Sequence, residues 1–125
     1  MSELPNLKQL IDIIRLAAKN ELIPRFHSHA KRINSDKKSD ASLITEADLA
    51  MQKALQGKFS SHWPEITFLG EEMSKSQQEA VLADSENGVW IVDPIDGTSN
   101  YSLGIPYYAV SVALVKDGKI QLAVV

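Results

Sequence analysis

The sequence reads as an α+β chain. Apolar residues recur at helical spacing through most of its first half, whereas β-branched apolar runs and an Asp-Gly hairpin signal fill its second. Its 125 residues suffice for one modest domain with a hydrophobic core, and a hydrophobic fraction of 44% is that of a globular protein rather than a disordered one.

Asn6 is placed as an N-cap for a helix whose apolar face is Leu7, Leu10, Ile11, Ile14, Ala17 and Ala18. Pro24 predicts a kink or a division of that helix, because a proline inside a helix removes a hydrogen bond and clashes with the preceding turn. Helical spacing resumes through Phe26, Ala30 and Ile33. His27 and His29, two apart, would point in different directions on a helix; with His62 they read as surface histidines rather than metal ligands. Asn34 to Ser42 is polar and turn-rich and reads as a loop.

A second helix is expected from Leu43, with apolar positions Leu49, Met51, Ala54, Leu55 and Phe59. Thr45 has the chemistry of an N-cap, and Asp48 three residues later resembles the acid of a capping box. Pro64 to Leu69 reads as a short strand running into Gly70-Glu71-Glu72, a turn-like glycine with paired acids. Met73 to Gly88 is polar and acidic, with a short helical turn expected near Ser76. Tyr108 to Val115 alternates as a partly covered strand does. Asp117-Gly118 then predicts a type I′ hairpin, and Ile120 to Val125 a return strand. That last strand has no following element to cover it, so self-association through its edge is expected.

Several function classes are disfavoured. A formal net charge of −3 without a lysine and arginine stripe gives no footprint for nucleic acid. Absence of cysteine removes disulfides and thiolate metal sites. No basic region precedes an apolar run at the N-terminus, and no apolar stretch reaches transmembrane length, so the expected location is cytoplasmic, away from the membrane.

Chemistry concentrates in Trp90 to Tyr101. The run Trp90-Ile91-Val92 is a buried-strand signature, and Pro94, which cannot donate to a ladder, is expected to end it. Asp93 and Asp96 then stand where the chain leaves the sheet, with Gly97-Thr98 behind them. Carboxylates are hard oxygen ligands suited to Mg²⁺, and the Gly97 and Thr98 amides can face an anion. The bland alternative is that the two acids are turn formers and Thr98 a cap.

The segment Asp93-Pro94-Ile95-Asp96-Gly97-Thr98, followed by Asn100 and an aromatic, resembles the main signature of the inositol monophosphatase family. The aromatic is usually Phe there and is Tyr101 here. Upstream, Thr45-Glu46-Ala47-Asp48 and Gly70-Glu71-Glu72 are similar to two further elements of that family, in its order. The resemblance implies a role for each of these residues. Glu71, Asp93 and the Ile95 carbonyl would hold one Mg²⁺, and Asp93 would bridge to a second ion also bound by Asp96. The Gly97 and Thr98 amides would contact substrate phosphate, so that Glu71, Ile95, Asp96, Gly97 and Thr98 form the substrate-binding set. Asp48 would pair with Thr98, and these two with Glu71 would orient and activate the attacking water. Lys37 or Lys38 would help hold a phosphate or order the loop around the metal, and Glu72 would order the site or remain in solvent.

The resemblance also implies Li⁺ sensitivity and an alternating αβαβα fold. Residues 1–125 would be its single N-terminal α+β domain, two long helices packed on an antiparallel sheet. The family's distal Trp-Asp motif, whose Asp is another metal ligand, has no counterpart here, and the C-terminal α/β half is expected to be absent. The expected function is therefore Mg²⁺-dependent hydrolysis of a small phosphomonoester of the inositol monophosphate type, with this chain carrying most of the metal site. The alternatives are a related sugar, histidinol or nucleotide phosphatase, or an inactive, regulatory or oligomerising fragment. The expected partners are a small phosphorylated substrate and further copies of the chain.

Overall fold

The computed structural model of the chain describes residues 4–28, 41–70, 74–83 and 86–125. Helix α1 spans Leu7–Ala17; Asn6 caps it, its side-chain oxygen accepting from the Gln9 N–H at 2.9 Å. Leu10, Ile14 and Ala17 form its buried face, as their spacing predicts. The helix does not divide at Pro24. A π-turn over Ala18–Leu22 intervenes, with the Ile23 N–H donating to the Ala18 carbonyl, and residues 23–28 continue as α-helix. Wider i→i+5 bonding reorganises the carbonyls that a proline ring would otherwise meet in the preceding turn.

Helix α2, Ala41–His62, packs against α1 and, through Met51, Leu55 and Phe59, against the sheet. Arg25 ties the two helical segments: its guanidinium donates to Glu21 at 2.8 Å and to Glu46 on α2 at 3.3 Å. The hydrogen bond to Glu21 raises the arginine pKa further, against the lowering effect of burial.

Strands β1 (Thr67–Gly70), β2 (Val89–Asp96), β3 (Ala109–Lys116) and β4 (Lys119–Val124) form one sheet in that order. The expected antiparallel pairing holds for β2–β3 and β3–β4, but β1 and β2 run parallel. The cause is the connection. A crossover between β1 and β2 includes helix α3 (Lys75–Ala83), and a helical crossover returns the chain in the same direction. Instead of a short helical turn, the polar stretch thus holds a full helix with a capping box. The Gln77 N–H donates to Ser74 Oγ at 3.2 Å, and Gln77 Oε1 accepts from the Ser74 N–H at 2.9 Å. Asp117 and Gly118 both have positive φ, 54° and 73°, as the predicted hairpin turn requires.

The core contains two aromatic groups. Under α2, Phe59 lies 4.8 Å from the Trp90 ring and 6.0 Å from Phe68, with Trp63 5.4 Å from Trp90. At the other end, Phe26, Tyr101 and Tyr108 meet at 4.9 to 5.4 Å. Among the described residues no helix is long and apolar enough to cross a membrane.

Candidate functional site

Strand β2 does not stop at Pro94. It continues to Asp96, but its pairing with β3 shifts after Asp93, which faces Ser111, so that Asp96 faces Ala109. Three steps on β2 thus oppose two on β3, and the extra residue is a bulge. A bulge is where a sheet tolerates proline, because the ladder is already interrupted. Pro94 and Ile95 turn inward and are buried, and the two acids flank them.

The bulge separates two openings. One, about 330 Å³, is lined by Asp93, Gly70, Ser111 and Gln78, among others. The second, about 480 Å³, is lined by Asp96, Gly97, Asn100 and Tyr107 with their neighbours. Parallel register sets Gly70 opposite Val92, so β1 leaves the sheet at the level where β2 reaches Asp93. A larger cavity, about 550 Å³, lies in the groove between α1 and α2 beside Leu16, Lys58 and His62; it contains none of the motif residues.

Gly97 is required at its position. Its φ is +93°, and a Cβ there would come within 3.1 Å of the Tyr107 carbonyl oxygen. Thr98 opens the short helix α4, Thr98–Ser102. This helix is fixed from beneath by Tyr101, whose buried hydroxyl donates to the Leu22 carbonyl at 2.8 Å, at the end of the π-turn. Burial raises the Tyr101 pKa far above the usual phenol range, with Tyr108 adding to it; burial raises Tyr108 as well.

Asp48 lies on α2, which packs against α4, and it is 7% exposed. Thr45 does not cap this helix, because α2 begins earlier, at Ala41. Capping therefore does not account for the burial of Asp48, and that removes the bland explanation of the Thr45 and Asp48 pair. One turn on, Gln52 is also buried, and its side chain faces Gly70, where a Cβ would fall 2.6 Å from Gln52 Cδ. Asp48 and Gln52 thus form a polar stripe on an otherwise apolar helix face. Sequence reading missed Gln52, although its i, i+4 spacing from Asp48 was the available signal.

The structure gathers Asp93, Ile95, Asp96, Gly97 and Thr98 around the bulge, with Asp48 on the helix packed against α4. Glu71, Glu72, Lys37, Lys38 and His29 lie outside the described residues. His27 is exposed against the Phe26 ring, and His62 Nδ1 meets Gln9 Nε2 at 3.2 Å, consistent with surface roles.

Among the described residues no three His, Cys, Asp or Glu side chains gather closely enough to hold a metal ion. One observation nevertheless fits a cation: Asp93 Oδ1 is buried and has no hydrogen-bond partner among the described residues. A carboxylate oxygen shut off from water without a donor is costly unless a positive charge meets it.

Comparison with known proteins places the chain in a family. The family described as "Inositol monophosphatase family" matches residues 5–125. "Inositol monophosphatase 1" of Sus scrofa is 35% identical over 118 residues, 94% of this chain and 38% of its own length. "Nus factor SuhB" of Pseudomonas aeruginosa is 30% identical, over 95% of this chain and 44% of its own. Among solved structures, the extragenic suppressor protein suhB of Bartonella henselae superposes with a TM-score of 0.62 at 28% identity, covering 90% of this chain and 41% of that one. The chain thus spans about two fifths of the length of the relatives it matches.

Proposed function

The chain belongs to the inositol monophosphatase family, and on that premise we propose that it carries the phosphate-facing part of a divalent-metal-dependent phosphomonoesterase. The single observation supporting this most is the buried, unpartnered Asp93 Oδ1, beside a bulge that holds Asp96 and Gly97 at an open cavity.

Mg²⁺ is the proposed ion. Asp93 and the Ile95 carbonyl would hold one such ion, with Glu71 added from the segment after β1, and Asp96 would hold a second that shares Asp93. All four donors are hard oxygens, the set this cation prefers. When bound, the ion would supply Lewis acidity, neutralising phosphate oxygens and making a water nucleophilic near neutral pH. The chain's own residues do the rest. Gly97, with no side chain and a positive φ, leaves the backbone open to an anion, and the Gly97 and Thr98 amides contact the phosphate. The Thr98 hydroxyl orients the attacking water and passes its proton toward Asp48, whose burial keeps that carboxylate out of competition with solvent. Inhibition by Li⁺, a cytoplasmic location, a small phosphorylated substrate and association of copies through the β4 edge belong to the same proposal.

A second reading is a family member that retains the fold and acts on a partner without turnover. The name of the Pseudomonas aeruginosa relative, a Nus factor, favours keeping it. One assay separates the two: phosphate release from inositol 1-phosphate by this chain, with and without Mg²⁺, beside Asp93→Asn. Release that needs the metal and disappears in the variant is expected. No release by a folded wild-type chain would favour the second reading.

A further inference from the structure

Two consecutive tyrosines at the entrance to β3 have opposite fates. Tyr108 turns inward and packs its ring against Phe26 and Tyr101. Tyr107 turns outward and is 79% exposed, the most exposed aromatic residue among those described. A lone exposed aromatic is ordinary on a protein surface. Its placement here is not ordinary, because Tyr107 lines the same cavity as Asp96 and Gly97.

Its backbone is also held at both its carbonyl and its N–H. The Tyr107 carbonyl accepts from Asn100 Nδ2 at 2.9 Å, and its N–H donates to the Ile105 carbonyl at 2.7 Å. Ile105 in turn donates to the Asn100 carbonyl at 2.8 Å, so the loop after α4 is bonded back onto the motif helix. From the other direction, Gly97 packs so closely on Tyr107 and Tyr108 that a methyl group at position 97 would meet the Tyr107 oxygen at 3.1 Å and Tyr108 Cα at 3.4 Å. With Tyr108 anchored in the core, the stem of Tyr107 has little freedom. The result is a large flat ring on a rigid mount, beside the residues that would face phosphate. Only two side-chain torsions need settling for it to bind, so the entropy cost of using it is small.

We propose that Tyr107 is a specificity-determining residue: a stacking platform that favours phosphomonoesters carrying a planar ring, a nucleobase above all, over those with a saturated polyol. The proposal rests on the reading of Asp93 to Thr98 as a phosphate site, and deepens it by naming a substrate class. A base stacked on one aromatic ring commonly gains about fivefold to a hundredfold in affinity.

The test compares adenosine 2′-monophosphate with glycerol 2-phosphate, which present similar secondary phosphates but of which only the first carries a ribose and a planar base; dependence on the Tyr107 ring isolates the contribution of the base. Both equilibrium binding in Mg²⁺ and hydrolysis are measured, on the wild-type chain, Tyr107→Ala and Tyr107→Phe. Preference for the nucleotide is expected in the wild type, retained in Tyr107→Phe and reduced about tenfold in Tyr107→Ala. Retention in the Phe variant separates stacking from loss of fold. If neither compound is hydrolysed but the binding preference follows the ring, the platform stands and the phosphatase reading falls. Equal binding of the two compounds by the wild type, or a preference unmoved by Tyr107→Ala, overturns the platform.

Discussion

The two halves of β2 make an instructive contrast. From Val89 to Val92 the strand keeps register with β3 and contributes Trp90 to a cluster with Phe59, Trp63 and Phe68. From Asp93 to Asp96 the register slips, a proline is admitted and two carboxylates flank a buried apolar pair. Each half buries one polar atom without a hydrogen-bond partner among the described residues: Trp90 Nε1 in the first, Asp93 Oδ1 in the second. The indole N–H is neutral and surrounded by rings, so it imposes a modest cost that packing offsets. The carboxylate oxygen cannot be offset by packing and calls for a cation. Only three residues apart, the first half serves stability, and the second gives up regular pairing where the proposed function places its chemistry.

The sharpest way to break this contrast is to cut into the first half's cluster. Phe59 is 1% exposed and touches three other rings, so Phe59→Ala should cost about 3–5 kcal/mol in urea unfolding. The site should remain intact in whatever fraction stays folded. If the variant lost under 1 kcal/mol, roughly the effect of an ordinary surface change, the cluster would not be the stabilising half.

That division also decided what could be read from the sequence. Helix faces, the hairpin and the motif were legible, because period and turn chemistry are local: Leu10 and Ile14 on one face, Asp117-Gly118 in the turn, Asp93 beside Asp96. Pairing direction was not legible, since it depends on the α3 crossover, whose polar sequence gives little amphipathic signal; only the Ser74 and Gln77 capping box marked it. Local rules were incomplete at Pro24 and Pro94. Each predicts an interruption, and the tertiary fold supplies an irregular element in place of a break, a π-turn before Pro24 and a bulge at Pro94. Gln52 was missed because a polar residue on an exposed helix face and one opposite a glycine look alike until the strand is placed.

A middle-sized effect is expected at Tyr101, which joins the motif helix to the π-turn. Tyr101→Phe removes the donor to a buried carbonyl and should cost about 1–3 kcal/mol. Its pH dependence has a definite sign. Burial raises the folded-state pKa above that of the unfolded phenol, so the contribution is fully present below about pH 10 and is lost as pH rises beyond it, where the unfolded chain releases the proton. Alkaline titration followed by tyrosinate absorbance and circular dichroism should therefore show Tyr101 ionising only as the fold is lost. The Phe variant should begin less stable at neutral pH but lose less stability above pH 10, with Tyr108, also raised by burial, supplying the remainder. Ionisation of Tyr101 before any change in circular dichroism would mean that the motif helix is not clamped as described.

The smallest stability change with the most to say is Gly97→Ala. A positive φ costs a non-glycine residue about 1–2 kcal/mol, and the Tyr107 carbonyl at 3.1 Å must also give way. In urea the variant should therefore look milder than Phe59→Ala. In phosphate release it should look far worse, because the displaced backbone is the one proposed to face the phosphate, and it also packs on Tyr107. Activity per folded molecule is the discriminating quantity: Phe59→Ala should preserve it and Gly97→Ala should not. Were Gly97→Ala to lose activity only in proportion to its unfolded fraction, the positive φ would be a requirement of the turn alone, and the anion would have to be met elsewhere along Asp96 to Asn100.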